Sequence, residues 1–121
     1  FITSSEEGIN GPLSVKVLEP AVKAGLSDLR FAFTDDISQA DYKLMIEAKA
    51  RKGQAGEIAT LTFIDATISL VNKLNGKEIY KNSFFNIKGV GANFDVAQSS
   101  AYKKTQSEMV DDITYELEYN R

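Results

Sequence analysis

The chain has 121 residues and a formal net charge of −3, and it contains neither cysteine nor histidine. A chain of this length can bury a substantial core as one domain, and its acidic balance disfavours nucleic-acid binding. Without cysteine the chain has no thiolate chemistry and no disulfides, and without histidine it lacks the commonest general base and metal ligand. We therefore expect one domain over residues 1–121, with no enzyme activity, no cofactor and no metal.

The sequence starts at Phe1 rather than at methionine, and no apolar run approaches the ~20 residues that cross a membrane. We expect the chain to be a fragment or the mature form of a longer exported chain. An export signal or a lipid-attachment cysteine would then lie upstream of Phe1.

The first part of the chain predicts an edge strand and a helix. Phe1–Ser4 is short and apolar at its start, which indicates the last part of an edge strand. Apolar residues then recur at helical spacing as far as Leu26. We favour a helix that begins at Pro12 and kinks at Pro20, because an internal proline removes one backbone hydrogen bond. The alternative is a strand over Leu13–Val17, followed by a shorter helix that begins at the second proline.

Three further segments have the character of strands. Leu29–Thr34 is the first, and the alternation of apolar and charged residues over Asp41–Arg51 predicts a half-buried second strand. The third and longest is Ala59–Lys73. The dipeptide Asn75-Gly76 follows it and favours a two-residue type I′ hairpin turn, because both positions accept positive φ.

That turn predicts the register of the hairpin, with Leu74 opposite Lys77. The predicted partners further out are Asn72 with Ile79, Leu70 with Lys81, Ile68 with Ser83, Ala66 with Phe85, and Ile64 with Ile87. One face then collects the apolar residues that should lie beneath the helices: Ile64, Ala66, Ile68, Leu70, Ile79, Phe85 and Ile87.

The same register leaves apolar residues on the opposite face of the sheet. A contiguous exposed apolar patch marks a docking surface, whereas scattered apolar residues are ordinary surface. The predicted protein-binding residues are Phe63, Val71, Tyr80 and Phe84, with Thr67 between them and Met45 on the neighbouring strand. Asp65 should lie opposite Asn86 on this face, as a solvated or hydrogen-bonded surface residue.

The stretch "KGVGANFD", from Lys88 to Asp95, stands between a strand and the last helix. Phe94 occupies the third-glycine position of a dinucleotide-binding motif, and the lysine of a phosphate-binding loop is also missing. We expect a strand-to-helix turn that uses the positive φ of glycine, with Asn93 or Asp95 as the helix cap. Anion binding is the alternative.

Apolar residues at intervals of three and four predict one long amphipathic helix near the end of the chain. Its buried stripe should be Phe94, Ala97, Ala101, Thr105, Met109, Ile113 and Leu117, opposite the polar residues Lys103, Lys104, Ser107, Asp111 and Glu118. The element order is strand, helix, strand, strand, strand, helix. It predicts an α+β fold, a two-layer sandwich in which two helices pack on one face of an antiparallel or mixed four-stranded sheet.

Other polar clusters do not predict catalysis. The adjacent acids Asp35-Asp36 and Asp111-Asp112 point in different directions, so neither pair should share a proton. Ser99-Ser100 has only Lys103 or Lys104 nearby to activate it, which on a polar helix face indicates ordinary surface.

Several motifs resemble a family of bacterial envelope domains. They are "ADYKLMIEAKA" (Ala40 to Ala50), the strand Ile64 to Val71 with "LNGKEIY" (Leu74 to Tyr80) after it, "KGVG" (Lys88 to Gly91), and the spaced alanines Ala97 and Ala101. The family includes the N-terminal domain of TolB, the lipoprotein activator of penicillin-binding proteins, the curli-secretion lipoprotein and flagellar-assembly domains. The resemblance covers the chain from about Leu13 onward and implies export to the periplasm or outer membrane, often by lipid anchorage, and work through protein contacts.

The function expected is therefore that of a non-catalytic protein-binding or assembly domain of a bacterial cell-envelope protein or lipoprotein. Its partner would be another envelope protein or a second copy of the chain, docked on the outer sheet face or on an exposed edge strand. The alternative is a module that binds a small ligand or cell-wall glycan through Tyr80, Phe84 and Asp65.

Overall fold

The structure, a computed structural model, describes residues 1–119. The described chain forms five strands and two α-helices, with a short 3-10 helix at Ile37–Gln39. The elements are β1 (Ile2–Gly8), β2 (Gly11–Pro12), α1 (Leu18–Asp28), β3 (Tyr42–Ala55), β4 (Thr60–Asn72), β5 (Glu78–Gly91) and α2 (Phe94–Tyr119). No helix within residues 1–119 is both long enough and apolar enough to span a membrane.

The strands form one mixed sheet in the order β2-β1-β3-β4-β5, in which only β1 and β3 run parallel. Both helices join the same hydrophobic cluster as the inward side chains of the sheet. The predicted α+β class is confirmed. The strand number was wrong, because the described sheet has five strands rather than four.

The predicted strand at Leu29–Thr34 is not formed. Strand β1, rather than this segment, pairs with the side of β3 that faces away from β4. Phe31 and Phe33 instead pack against the core from an irregular segment. Their alternation therefore reflects burial without strand pairing.

Helix α1 begins at Leu18, so the favoured kinked helix from Pro12 was wrong. The alternative was right in its shorter helix, which begins two residues before Pro20, and wrong in its strand over Leu13–Val17. Pro12 lies in β2, and Pro20 stands in the first helical turn, where an N–H has no partner inside the helix. The backbone N–H groups of that turn are bonded by Glu6, a 4% exposed residue of β1. Its carboxyl oxygens lie 2.7 Å from the nitrogens of Val17 and Leu18 and 3.0 Å from that of Glu19. A side chain from a distant strand thus caps a helix that has no side-chain cap of its own.

The hairpin between β4 and β5 forms, but its predicted register was wrong from the turn as far as Ala66. The loop is longer than two residues, because Asn72 rather than Leu74 pairs with Lys77. Two irregularities then shift the pairing, one next to Leu70 and one next to Asp65. The observed partners are Leu70 with Tyr80, Ile68 with Asn82, and Ala66 with Phe84, while Ile64 with Ile87 agrees with the prediction.

Helix α2 buries the predicted stripe from Ala97 to Leu117 and exposes the predicted polar side. Asn93 caps it, with its Oδ1 2.9 Å from the nitrogen of Val96. Gly89 and Gly91 lie inside β5 and do not have positive φ, so the predicted glycine turn was wrong. Instead they let the helix approach: a Cβ on Gly89 would lie 1.9 Å from the carbonyl oxygen of Ala97.

Candidate functional site

The face of the sheet turned away from the helices, the outer face, carries an apolar cluster near the ends of β3, β4 and β5. In direct register, Phe63 lies between Arg51 and Lys88, and Leu61 lies beside Val90 in the next row. Gly53 provides the space for this cluster, since a Cβ there would lie 2.6 Å from the Phe63 ring and 2.9 Å from Leu61 Cβ.

Phe85 joins the cluster because the irregularity in β5 leaves Phe85 and Asn86 together opposite Asp65. Its side chain is 60% exposed, and that of Val90 is 43% exposed. We call the whole group the outer patch, defined as Arg51, Leu61, Phe63, Phe85, Lys88 and Val90.

A hydrogen-bonded cluster fixes the polar side of the outer patch. Arg51 Nε lies 3.0 Å from Asp65 Oδ2, its guanidinium also donates to Asn86 Oδ1, and its Cζ lies 4.8 Å from the centre of the Phe63 ring. Asp65 Oδ1 accepts from the backbone N–H of Asn86 at 2.8 Å. This bond, with help from Arg51, lowers the pKa of Asp65. The predicted surface position of Asp65 opposite Asn86 is confirmed.

The four residues predicted as a protein-binding surface do not share a face. Phe63 and Val71 lie on the outer face and are half-buried, whereas Tyr80 is 7% exposed and Phe84 packs against the core on the helix side. The irregularity next to Leu70 moves Tyr80 and Phe84 by one position, and a one-residue shift turns a side chain to the opposite face. The sequence therefore placed these two residues wrongly. It was also wrong to place Ile79 and Phe85 beneath the helices, since both are exposed.

Tyr80 connects the sheet to α2. Its hydroxyl donates to Asp112 Oδ2 at 2.5 Å, and Asn82 Nδ2 donates to the same oxygen at 2.7 Å. Burial, followed by the contact with Asp112, raises the pKa of Tyr80, so its hydroxyl remains a donor. Asp112 thus accepts hydrogen bonds from Tyr80 and Asn82, a structural role that the Asp111-Asp112 pair in the sequence did not indicate.

Strand β5 is an edge strand of the sheet, but side chains of the same protein form hydrogen bonds with part of its main chain. The N–H of Ser83 donates to Asn82 Oδ1 and the N–H of Asn86 to Asp65, while the C=O of Lys88 accepts from Lys104 Nζ. Irregular pairing and lysines are common means of protecting an edge strand. This edge is therefore a poorer place to add a strand than its length suggests.

Two adjoining clefts lie at the other end of the molecule, where both are lined by Arg30, Phe31 and Tyr42. One has a volume of about 360 Å³ and reaches Phe33, and the other, of about 650 Å³, reaches Leu117. A third cleft of about 390 Å³ includes Asp65 but is not lined by Tyr80 or Phe84. The three residues predicted to hold a glycan or small ligand are therefore not brought together.

Solved structures of bacterial proteins share this fold. The chain superposes on a candidate lipoprotein from Caulobacter crescentus with a TM-score of 0.55 and 14% identity, over 96% of this chain and 85% of that chain. A protein of the DUF330 family from Xanthomonas campestris gives a TM-score of 0.58 and 15% identity, over 99% and 87%. No family model and no curated protein matches the sequence.

At these identities the likeness concerns the fold alone. The fold is thus one that also occurs in a candidate bacterial lipoprotein. The particular resemblance to the TolB N-terminal domain, the penicillin-binding-protein activator and the curli-secretion lipoprotein stays a prediction.

Proposed function

We propose that this domain is a non-catalytic protein-binding or assembly domain of a bacterial cell-envelope lipoprotein. The shared fold with the Caulobacter candidate lipoprotein supports the envelope setting. A lipid anchor upstream of Phe1 would hold the domain at the membrane, in the periplasm or at the outer membrane. The partner is another envelope protein or a second copy of the chain.

The outer patch is the observation that carries this proposal. Phe85 and Val90 expose much of their apolar surface beside Phe63 and Leu61, on a face that no element of residues 1–119 covers. Aromatic side chains supply much of the binding energy at protein interfaces, and Arg is enriched there. The bonds to the main chain of β5 make the face a better docking surface than the edge.

Site-specific photo-crosslinking tests the proposal. A photoreactive amino acid replaces Phe85 in the protein expressed from its own gene, and in a matched strain it replaces Lys103 on the exposed side of α2. We expect a discrete crosslinked protein from position 85 and none from position 103. Membrane and periplasmic fractions would show where the adduct lies.

A second variant, Phe63→Ser, keeps the crosslinker at position 85 but removes the neighbouring ring. We expect it to reduce the yield of the adduct while thermal unfolding of the isolated domain stays cooperative. Equal adducts from positions 85 and 103, or no adduct at position 85, would contradict docking on the outer face.

The clefts at the far end favour a second candidate function, the binding of a small apolar ligand. Their aromatic lining and volumes fall in the range that ligand sites occupy. If this function is right, the protein purified from its host should carry a bound compound, and the Leu117→Trp variant, in which the larger ring fills the cleft, should lack it. Mass spectrometry of the two preparations under non-denaturing conditions makes the comparison.

A further inference from the structure

Of the two cations in the outer patch, Lys88 is the one whose charged group has no partner within the described residues 1–119. The guanidinium of Arg51 is bonded to Asp65 and Asn86 and lies over Phe63. The ammonium group of Lys88 makes no hydrogen bond or ion pair within residues 1–119, where only its main-chain oxygen is bonded. An exposed ammonium beside apolar side chains is available to a partner.

Apolar residues are neighbours of Lys88 in the strand register. Phe63 lies directly across on β4 and Val90 follows on β5, while Phe85 and the polar Asn86 share the preceding position opposite Asp65. The nearest acid of the outer face, Asp65, is already bonded to Arg51 and to the N–H of Asn86. A carboxylate of a partner could therefore bind the unpaired ammonium group of Lys88 while apolar side chains beside it contact the neighbouring apolar residues of the outer patch.

We propose that the outer patch recognises a partner segment in which an acidic side chain, placed against Lys88, is flanked by apolar side chains that contact Phe63, Phe85 and Val90. This inference rests on the proposed docking function and specifies the chemistry of the partner. Apolar contacts supply the affinity, and the charge selects the partner and its register.

A second copy of the chain fits this site less well along β5. If two β5 strands paired antiparallel over their whole length, Glu78 to Gly91, Lys81 of one copy would lie opposite Lys88 of the other. Like charges directly opposite each other destabilise a strand pair. The charge pattern thus disfavours self-pairing along β5.

Two synthetic peptides test the inference with the whole domain. One carries an aspartate between phenylalanines, and the other carries lysine in place of that aspartate. We expect only the acidic peptide to shift the backbone amide resonances of residues 61–63 and 85–90. The charge reversal Lys88→Glu should weaken its binding about tenfold, because a contacting cation becomes a repelling anion. Lys81→Glu, on the same strand and face, is the matched control and should leave the affinity within about twofold.

Several results would overturn the inference: equal binding of both peptides, binding of the lysine peptide alone, binding of neither, or equal effects of the two charge reversals. The crosslinking at position 85 decides protein docking separately. An adduct there that forms equally well in the Lys88→Glu protein would leave the docking function standing and remove the acidic partner.

Discussion

Within residues 1–119, two residues other than glycine have a left-handed backbone, and neighbouring groups hold each of them. Asn86, with φ of 57°, is fixed by Asp65 and Arg51, as described above. Arg30, with φ of 69°, ends α1: its N–H bonds to Ser27 O at 3.0 Å, and the N–H of Phe31 bonds to Leu26 O at 3.1 Å. This is the Schellman pattern, in which glycine is usual because a Cβ is strained there.

Replacing Arg30 by glycine should therefore stabilise the protein. The left-handed conformation costs a residue with a Cβ about 1–2 kcal/mol, and the greater freedom of glycine in the unfolded chain offsets part of the gain. We expect a net gain of about 0.5–1 kcal/mol, measured by urea unfolding. Arg30→Ala keeps the strained Cβ and should show no such gain; if the alanine variant matched the glycine variant, strain would not be the cause.

The Asp65 cluster makes stability depend on pH. Because bonding lowers the pKa of Asp65 from its ordinary value of 3.8, its contribution is complete above that value and is lost as pH falls through the folded-state pKa. Asp65→Asn should cost about 1 kcal/mol at pH 7, a modest figure because the site is partly exposed to solvent.

That difference between wild type and Asp65→Asn should shrink progressively below pH 3.8, as equilibrium unfolding at a series of pH values would show. Glu47→Gln on the same face leaves the bonds of Asp65 intact and serves as the control. A difference that stays constant down to pH 2 would show that the Asp65 carboxylate is not the source.

At the scale of elements, the contact between α2 and β5 depends on the absence of two side chains. The approach at Gly89 involves helix backbone, since a Cβ there would also lie 2.4 Å from the nitrogen of Ala101. A flexible side chain could move away from such a contact, but a helix backbone cannot without shifting the whole helix. The pair of glycines in "KGVG" is thus a packing device.

Gly89→Ala should destabilise the domain by about 3 kcal/mol, at the upper end of the cost of overpacking, because α2 must move off the sheet. Chemical denaturation gives the free energy of unfolding, and near-UV circular dichroism reports the environment of Tyr80 and Tyr102. Ser83→Ala, an exposed site on the same strand, is the control. A loss below 0.5 kcal/mol for Gly89→Ala would mean that the close approach is not required.

At the scale of the molecule, α2 holds the first strand of the chain in place from the far end of the sequence. The Tyr102 hydroxyl donates to the carbonyl oxygen of Glu7 at 2.7 Å, and Gln98 Oε1 accepts from the N–H of Ile9 at 2.7 Å. Burial raises the pKa of Tyr102, so the hydroxyl stays protonated as a donor. Since Glu6 of the same strand caps α1, this connection also links the two helices.

Tyr102→Phe should remove the bond to Glu7 while keeping the buried ring. We expect a loss of about 1–2 kcal/mol, because a carbonyl oxygen is left without its partner. Hydrogen exchange should accelerate for the amides of β1 more than for those of β4. Tyr115→Phe, at a 58% exposed position of α2, should change neither quantity.

Local pattern predicted the parts of the fold whose neighbours lie close in the chain. The stripe of α2 from Ala97 to Leu117 and the alternation along Asp41–Arg51 were right, because a periodic pattern marks whichever face is buried. The register of the hairpin was wrong. The loop is longer than two residues, and Ile79 is an extra residue of β5 next to Leu70, so the partners differ from the prediction between the turn and Ala66. A second extra residue, where Asp65 bonds the N–H of Asn86, restores the predicted pairing from Ile64 onward, and no repeat in the sequence signals either irregularity.

What the sequence determined by itself was the α+β class, the inward side of β3 and α2, and the acidic composition without cysteine or histidine. Those follow from the side-chain chemistry and from spacing along one segment. The tertiary structure alone decided that Tyr80 lies under α2 while Phe85 faces solvent, and that β1 enters the sheet beside β3. Both outcomes depend on which of several groups, distant in sequence, pairs with a given strand edge or hydrogen-bonding group. That choice is made only when the segments pack together.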